Sequence, residues 1–318
     1  MRRQLATLLL VTSLLATACG SDDDQGTAPP GQAAKVTVGV IPILDVAPIY
    51  LGKEKGFFAK RNIDVELKQA EGGAAIVPAV ANNEYQFGFS NVVSLLLAHS
   101  QTLPIKVVSN GCNSTGVDGE DFAGLYVRAD SPIKSPKDLE GKKVAANTLE
   151  NIVDTSVRQS IREDGGDPSK VEFTALPFPE QPAALANGQV DAVFVVEPFQ
   201  QAVLAEGARK IASSYVDVAP DLAVALYFTS TQLIEQNPDL VKRFTEAMQE
   251  SLSYADSHPD EARQIIGTYT QIDPAVIAKV TLPKWPAEIN RKSIEDIADL
   301  AREDGLLTNP ADLDSLLP

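Results

Sequence analysis

The sequence predicts an α/β protein of two similar lobes, each built on a mostly parallel sheet. From residue 35 onward, short β-branched runs alternate with stretches of helical periodicity, an alternation typical of βαβ units. The pattern also occurs twice. Residues 79–89 align with 184–194 at an offset of 105, and the first and second strands of the two sets are offset by about 107.

The strands fall into two sets, and each set defines one lobe. Two more strand-like runs, 124–128 and 223–228, are interpreted as crossover segments, the second returning the chain to the first lobe. Residues 232–318 are helical in pattern, with prolines interrupting it near the end. The predicted lobes are 35–123 plus 229–318, and 124–228. The predicted strands are 36–41, 64–67, 85–89 and 105–108, then 143–146, 171–174, 190–196 and 210–212.

The N-terminus has the layout of a secretory signal. Arg2 and Arg3 precede an apolar run over 5–18, which is too short to span a bilayer and ends in small residues before Cys19. A cysteine at this place resembles a bacterial lipobox, which implies a lipid on Cys19. The alternative is a plain signal peptide with an incidental cysteine. We expect a signal peptide over 1–18, a flexible Gly-, Pro- and Asp-rich tether over 19–34 and an extracytoplasmic, lipid-anchored protein.

Composition excludes several classes of partner. The net charge of −16 opposes binding to nucleic acid or anionic lipid headgroups. We therefore expect contact with the membrane through the lipid alone. The only cysteine besides Cys19 is Cys112, for which we predict a buried apolar role. The aspartates at 22–24 are interpreted as solvated charge. We expect no metal, no cofactor and a monomer.

Candidate ligand-binding residues follow the strands of both lobes. In open α/β sheets, ligands bind beyond the carboxyl ends of the strands, where helices begin. Two such lobes would face each other across a cleft. Trp285 is added because it is the only tryptophan and lies between Pro283 and Pro286 in a loop. The other candidates are Asp45, Tyr50, Gly72, Gly73, Ser90, Asn91, Asn147, Thr148, Phe178, Glu197 and Phe199.

Each candidate also has a purely structural interpretation. Asn147, with Glu150 three residues later, has capping-box spacing for a helix that runs to about Glu163. The glycine pair can make a tight turn, and Glu197 can belong to an ion pair. The aromatic candidates (Tyr50, Phe178, Phe199 and Trp285) can be core or rim packing instead of ligand contacts.

The sequence offers little for catalysis. The only histidines, His99 and His258, are far apart and fall in different predicted elements. No phosphate loop, CxxC or paired-histidine metal motif occurs. The sequence therefore favours binding over catalysis.

Five motifs resemble one family of binding proteins. They are residues 47–66 (APIYLGKEKGFFAKRNIDVE), 87–94, 138–145, 190–192 with 197–199, and 305–307. Together they resemble the nitrate/sulfonate/taurine and thiamine-pyrimidine-precursor-like solute-binding proteins of ABC importers. The resemblance implies a type II periplasmic-binding-protein fold, hinge closure on a small ligand and an ABC permease as partner. An enzyme of the same fold, such as a pyrimidine-precursor synthase, is the alternative. Pro78 departs from the pattern, because it falls inside the helix expected after Gly73.

The charges in the strand-end loops suggest the chemistry of the ligand. Asp45 and Glu197 occur there, and neither Lys nor Arg does. Burying carboxylates beside a bare anion is unfavourable. We therefore expect an amino-bearing sulfonate, an aminopyrimidine or a related compound. An acidic end would lie at the helix starts near Gly73 or Asn147, with Phe178, Phe199 or Trp285 stacking on a ring.

Overall fold

The computed structural model describes residues 32–318 and contains two five-stranded sheets. The predicted signal peptide, Cys19 and the tether through residue 31 lie outside the described residues. The first sheet has the order β2-β1-β3-β10-β4, and the second has the order β7-β6-β8-β5-β9. The strands of the first sheet are β1 Ala34–Val40, β2 Ile63–Gln69, β3 Phe87–Asn91, β4 Ile105–Asn113 and β10 Ala223–Ser230. Those of the second are β5 Ala123–Val127, β6 Lys143–Ala146, β7 Glu172–Ala175, β8 Ala192–Val196 and β9 Arg209–Ala212.

The internal repeat is visible in the strand pairing. In the first sheet β1 pairs in parallel with β2 and β3, and in the second β6 pairs in parallel with β7 and β8. Strands β3, β5, β8 and β10 are buried along their whole length, because helices cover both faces of such sheets. The predicted two-lobe α/β fold is confirmed.

The two segments predicted as crossovers, 124–128 and 223–228, are themselves strands of the two sheets, β5 and β10. Strand β5 pairs antiparallel with β8 and β9 in the second sheet. Strand β10 lies between β3 and β4 in the first sheet and pairs antiparallel with both. The chain therefore returns to the first sheet at Ala223, before the predicted lobe boundary at 228–229. At the other end, β1 begins at Ala34, the last residue of the predicted tether.

The helices pack on both sheets and position the strand-end loops. Helix α2 begins at Gly73 as expected and contains Pro78 in its interior. The helix predicted to end near Glu163 does so, but its N-cap is Asn151 and not Asn147. The helices are α1 Ala47–Glu54, α2 Gly73–Ala81, α3 Val92–Ser100, α4 Ile152–Glu163, α5 Gln181–Ala186, α6 Phe199–Ala205, α7 Ser214–Val218, α8 Thr231–Gln236, α9 Pro238–Ser257, α10 Pro259–Gln264, α11 Pro274–Ile277, α12 Arg291–Glu303 and α13 Leu313–Leu316.

Helix α12 connects the two lobes away from the strand ends. Its N-terminal end meets the second crossover, where the Ala223 amide donates to Ser293 Oγ at 2.9 Å. Just beyond its C-terminal end, Asp304 pairs with Arg162 of α4, and Arg162 Nε lies 3.1 Å from Glu303. Within residues 32–318, no helix is long and apolar enough to cross a membrane.

Candidate functional site: a cavity between the lobes

A cavity of about 330 Å³ lies between the lobes at the carboxyl ends of their strands. The first lobe contributes the loops after β1 and β2, and the second contributes the loop after β7 and the start of α6. This is the place where open α/β sheets bind ligands. We call it the interlobe cavity. It is lined by Ile41, Pro42, Ile43, Gln69, Ala70, Glu71, Pro177, Phe178, Pro179, Glu180 and Phe199.

The walls of the interlobe cavity are mainly apolar. Phe178 and Phe199 are almost buried, and their rings stack with centroids 6.1 Å apart and planes 16° apart. Phe178 opens a 3-10 turn directly after Pro177, and Phe199 is the first residue of α6. Two different helix starts thus bring the two rings into contact at one wall of the cavity.

The polar groups of the interlobe cavity lie at its rim. Glu71 and Gln69 come from the first lobe and Glu180 from the second, and all three side chains are exposed. Gln69 Nε2 donates to the backbone oxygen of Tyr269 at 3.2 Å and lies 3.4 Å from the Tyr50 hydroxyl. The rings of Tyr50 and Tyr269 stack at 3.9 Å. Tyr50 therefore supports the rim through Gln69.

Beside the cavity the lobes touch directly through a cluster that we call the polar contact. It comprises Gly72, Gly73, Ser90, Asn91, Asn147 and Thr148. Asn91 Oδ1 accepts from the Ser94 amide of its own lobe at 2.9 Å and from the Ile152 amide of the other at 3.3 Å. Asn147 Nδ2 donates across the lobes to the Glu71 backbone oxygen at 3.4 Å. The starts of α3 and α4 thus meet through one asparagine side chain.

The glycines of the polar contact permit its close packing. A Cβ on Gly72 would lie 2.8 Å from Thr148 Cγ2, across the lobe boundary. A Cβ on Gly73 would lie 1.9 Å from Ser90 Oγ, within the first lobe. Both separations are too short for non-bonded atoms. Gly72 therefore allows the lobes to approach each other, whereas Gly73 allows α2 to pack on β3.

Asp45 is buried and does not line the cavity. Its side chain is 2% exposed, and the Cys112 thiol donates to Oδ1 at 3.4 Å. Burial raises the pKa of Asp45 from its ordinary 3.8 to about 7. Among the described residues, Oδ2 has no hydrogen-bond partner. Cys112 is fully buried, as predicted.

Glu197 is a buried link between the lobes. Its Oε1 accepts from Gln201 Nε2 at 2.7 Å, from Gln200 Nε2 at 3.1 Å and from the Thr281 amide of the first lobe at 3.1 Å. Its backbone oxygen accepts from the Leu44 amide at 3.1 Å. Burial raises the pKa of Glu197 to about 6. These amide donors replace the ion pair that the sequence offered as its structural role.

Trp285 is a core residue in this structure. It is 1% exposed, and its Nε1 donates to the Asp45 backbone oxygen at 3.2 Å. The neighbouring Lys284 pairs with Asn113 as an isolated β-bridge. This pairing holds the loop against the first sheet, with Trp285 outside the cavity lining.

The predicted site residues therefore separate into four groups. Phe178 and Phe199 line the cavity; the glycine, serine, asparagine and threonine candidates form the polar contact. Asp45, Glu197 and Trp285 are buried outside the cavity lining, and Tyr50 supports the rim. Sequence reasoning missed the lining residues Gln69, Glu71 and Glu180, among others. Their signal was position, since each lies within a few residues of a strand end or helix start.

No group of His, Cys, Asp and Glu side chains among residues 32–318 is arranged to hold a metal ion. The cavity lining in that part of the chain contains no Lys, Arg, His or Cys. What the lining offers is apolar contact, two aromatic faces and the carboxylates of Glu71 and Glu180.

Two α/β lobes with a cavity at their facing strand ends define the periplasmic-binding-protein fold. The fold resembles the periplasmic nitrate-binding protein of Synechocystis PCC 6803, with a TM-score of 0.78 at 15% identity, covering 90% of this chain and 86% of that one. Residues 44–262 match the family described as "NMT1/THI5 like". The chain belongs to this family.

Curated relatives include both binding proteins and enzymes. The taurine-binding periplasmic protein of Escherichia coli K12 is 27% identical over 72% of this chain and 69% of its own length. The 4-amino-5-hydroxymethyl-2-methylpyrimidine phosphate synthase of Candida albicans WO-1 is 22% identical over 70% of this chain and 67% of its own. The family therefore leaves a choice between capture and catalysis.

Proposed function

We propose that this protein captures a small organic nutrient between its lobes outside the cytoplasm and delivers it to an ABC import permease. The observation that carries the proposal is the interlobe cavity, enclosed at the strand ends of both lobes and flanked by the polar contact. A ligand that touches both lobes favours the closed state over an open one. The relative named as taurine-binding supports this class of function.

Binding without catalysis is the better interpretation of the cavity chemistry. A pyrimidine synthase of the same fold is the alternative, favoured by the relative named as such an enzyme. Chemistry of that kind needs nucleophiles or acid–base groups that reach the ligand. Among the described residues lining the cavity, the only ionisable side chains are two exposed glutamates, Glu71 and Glu180. Asp45 and Cys112 are buried and do not line the cavity.

The anchor is part of the proposal. A lipid on Cys19 would hold the protein at the outer face of the cytoplasmic membrane, with the residues up to 34 giving it reach. Cys19→Ser should release the protein into the soluble extracytoplasmic fraction. Fractionation of the variant with membranes, as for the native chain, would refute the anchor and leave the capture function to its own test.

A thermal-shift screen of the purified protein tests capture. The panel contains taurine, alkanesulfonates, nitrate, aminopyrimidines, riboflavin and small amines. A true solute at 100 times its dissociation constant should add about 2.7 kcal/mol of stability. Mass spectrometry of the solute after incubation should show it unchanged. Conversion of the solute into a product would favour the enzyme, and stabilisation by no member would contradict capture.

A further inference from the structure

We propose that the interlobe cavity selects a flat ring compound carrying a positive charge or several N–H donors and rejects anions. The inference rests on the proposed function of solute capture and specifies the ligand class. It does not rest on Asp45 and Glu197, the carboxylates predicted from the sequence, because neither lines the cavity. The selecting groups are the wall of Phe178 and Phe199 and the rim of Glu71 and Glu180.

The wall favours a flat ligand. Phe178 and Phe199 already stack on each other, because 6.1 Å lies within the range of direct ring contact. A ligand ring therefore does not enter between them and would pack against the outer face or the edges of the stacked pair. Ile41, Ile43 and Pro177 complete an apolar surface around that position. A small hydrated anion such as nitrate would lose its water there without gaining donors.

The carboxylates at the rim make closure of the lobes depend on the charge of the ligand. Glu71 belongs to the first lobe and Glu180 to the second, so closure brings two carboxylates to one cavity. Like charges brought together oppose closure. A ligand cation placed between them offsets this repulsion, whereas an anion adds to it. Within residues 32–318, no Lys, Arg or His lines the cavity to neutralise these carboxylates.

Two helix starts near the cavity, those of α3 and α4, are already capped by side chains of the protein itself. Helix N-termini commonly bind anions through free backbone amides. At α3 and α4, Asn91 Oδ1 accepts from the Ser94 and Ile152 amides. Asp154 sits in the first turn of α4 as a buried carboxyl that accepts from the Glu150 amide. An anionic ligand would have to displace these partners.

Matched indole probes test the charge preference with little change in ring shape. Tryptamine is a cation, tryptophol is neutral and indole-3-acetate is an anion. Titration calorimetry on the purified protein should show tryptamine binding about tenfold more tightly than indole-3-acetate, with tryptophol between them. Glu71→Gln and Glu180→Gln should each reduce this ratio severalfold. The control Glu206→Gln removes the same charge from an exposed residue outside the cavity lining and should leave the ratio unchanged.

The outcomes separate this inference from the function beneath it. Equal or tighter binding of indole-3-acetate would overturn the inference, as would a ratio that neither glutamine variant changes. Failure of all three probes to bind at about 1 mM would also overturn it. If nitrate or taurine then stabilises the protein, solute capture stands and only the ligand class is wrong. If no solute of any charge stabilises it, capture itself fails.

Discussion

The polar contact and the interlobe cavity lie side by side at the same strand ends, yet they are built differently. The polar contact is packed without space, with glycines where any Cβ would collide and an asparagine shared by two helix starts. The interlobe cavity keeps about 330 Å³ open behind apolar walls. The difference suggests a division of roles, in which the polar contact sets how closely the lobes approach and the cavity sets what fits between them.

Among the glycines of the polar contact, the largest effect on stability is expected at Gly73, which packs α2 on β3 within the first lobe. Gly73→Ala places a methyl group against Ser90 Oγ and 3.0 Å from Ser90 Cα, inside one lobe. Overpacking of this kind should lower the free energy of unfolding by about 1–3 kcal/mol in urea denaturation. Gly267→Ala is the matched control, because its new Cβ would meet only Ile277 Cδ1 at 3.5 Å. Equal effects of the two changes would contradict the packing described for α2.

The burial of Asp45 can be tested through the pH dependence of the protein's stability. A carboxyl whose pKa is raised by folding binds its proton more tightly in the folded state, so its contribution to stability falls as pH rises from about 4 through about 7. Asp45→Asn removes this dependence. The difference in unfolding free energy between variant and native protein should therefore shift in the variant's favour by about 1–3 kcal/mol from pH 4 to pH 8.

The comparison with the native protein at each pH is the control for Asp45. Asp154 and Glu197, whose pKa values burial also raises to about 6, titrate in both proteins and cancel in the difference. Denaturant titrations at both pH values give the result. A difference that does not vary with pH would mean that Asp45 is solvated and does not lie against Cys112.

A substitution at Gly72 distinguishes an effect on lobe closure from an effect on folding. Its backbone is extended, with φ of −173°, so alanine is tolerated locally. The new Cβ would meet Thr148 only when the lobes close. Gly72→Ala should weaken binding of a cavity ligand by about tenfold, or 1.4 kcal/mol, with little loss of stability. Thr148→Ala in the same chain should restore part of the affinity, because it removes Cγ2. If Thr148→Ala does not restore affinity, the effect of Gly72→Ala does not arise from contact with Thr148.

The sequence predicted the fold well because the fold depends on patterns that repeat. The strand set at 36–41, 64–67 and 85–89 recurs at 143–146, 171–174 and 190–196, and both sets form parallel cores as expected. Segment 223–228 was harder to assign, because an antiparallel strand inserted from a distant part of the chain has no sequence partner nearby. Only the three-dimensional pairing shows that it lies between β3 and β4.

The site was predictable in location but not in side-chain direction. Strand-end loops indicated Phe178 and Phe199, which line the cavity. Loops have no fixed period, so the sequence could not show that Asp45 turns towards Cys112 or that Trp285 packs on the Asp45 backbone. The N-cap of α4 is Asn151 and not the predicted Asn147. Glu150, just before this cap, has a left-handed backbone with φ of 55°, so the helix cannot begin ahead of it. Such a turn is uncommon for glutamate and carries no sequence signal.

Small-angle scattering tests the central claim, that the lobes close on a solute held between them. The radius of gyration should be measured without solute and with a saturating amount of the most stabilising member of the thermal-shift panel. We expect a smaller radius with solute in the native protein and a smaller change in Gly72→Ala, whose lobes cannot approach as closely. A radius that does not change with saturating solute would contradict capture by closure.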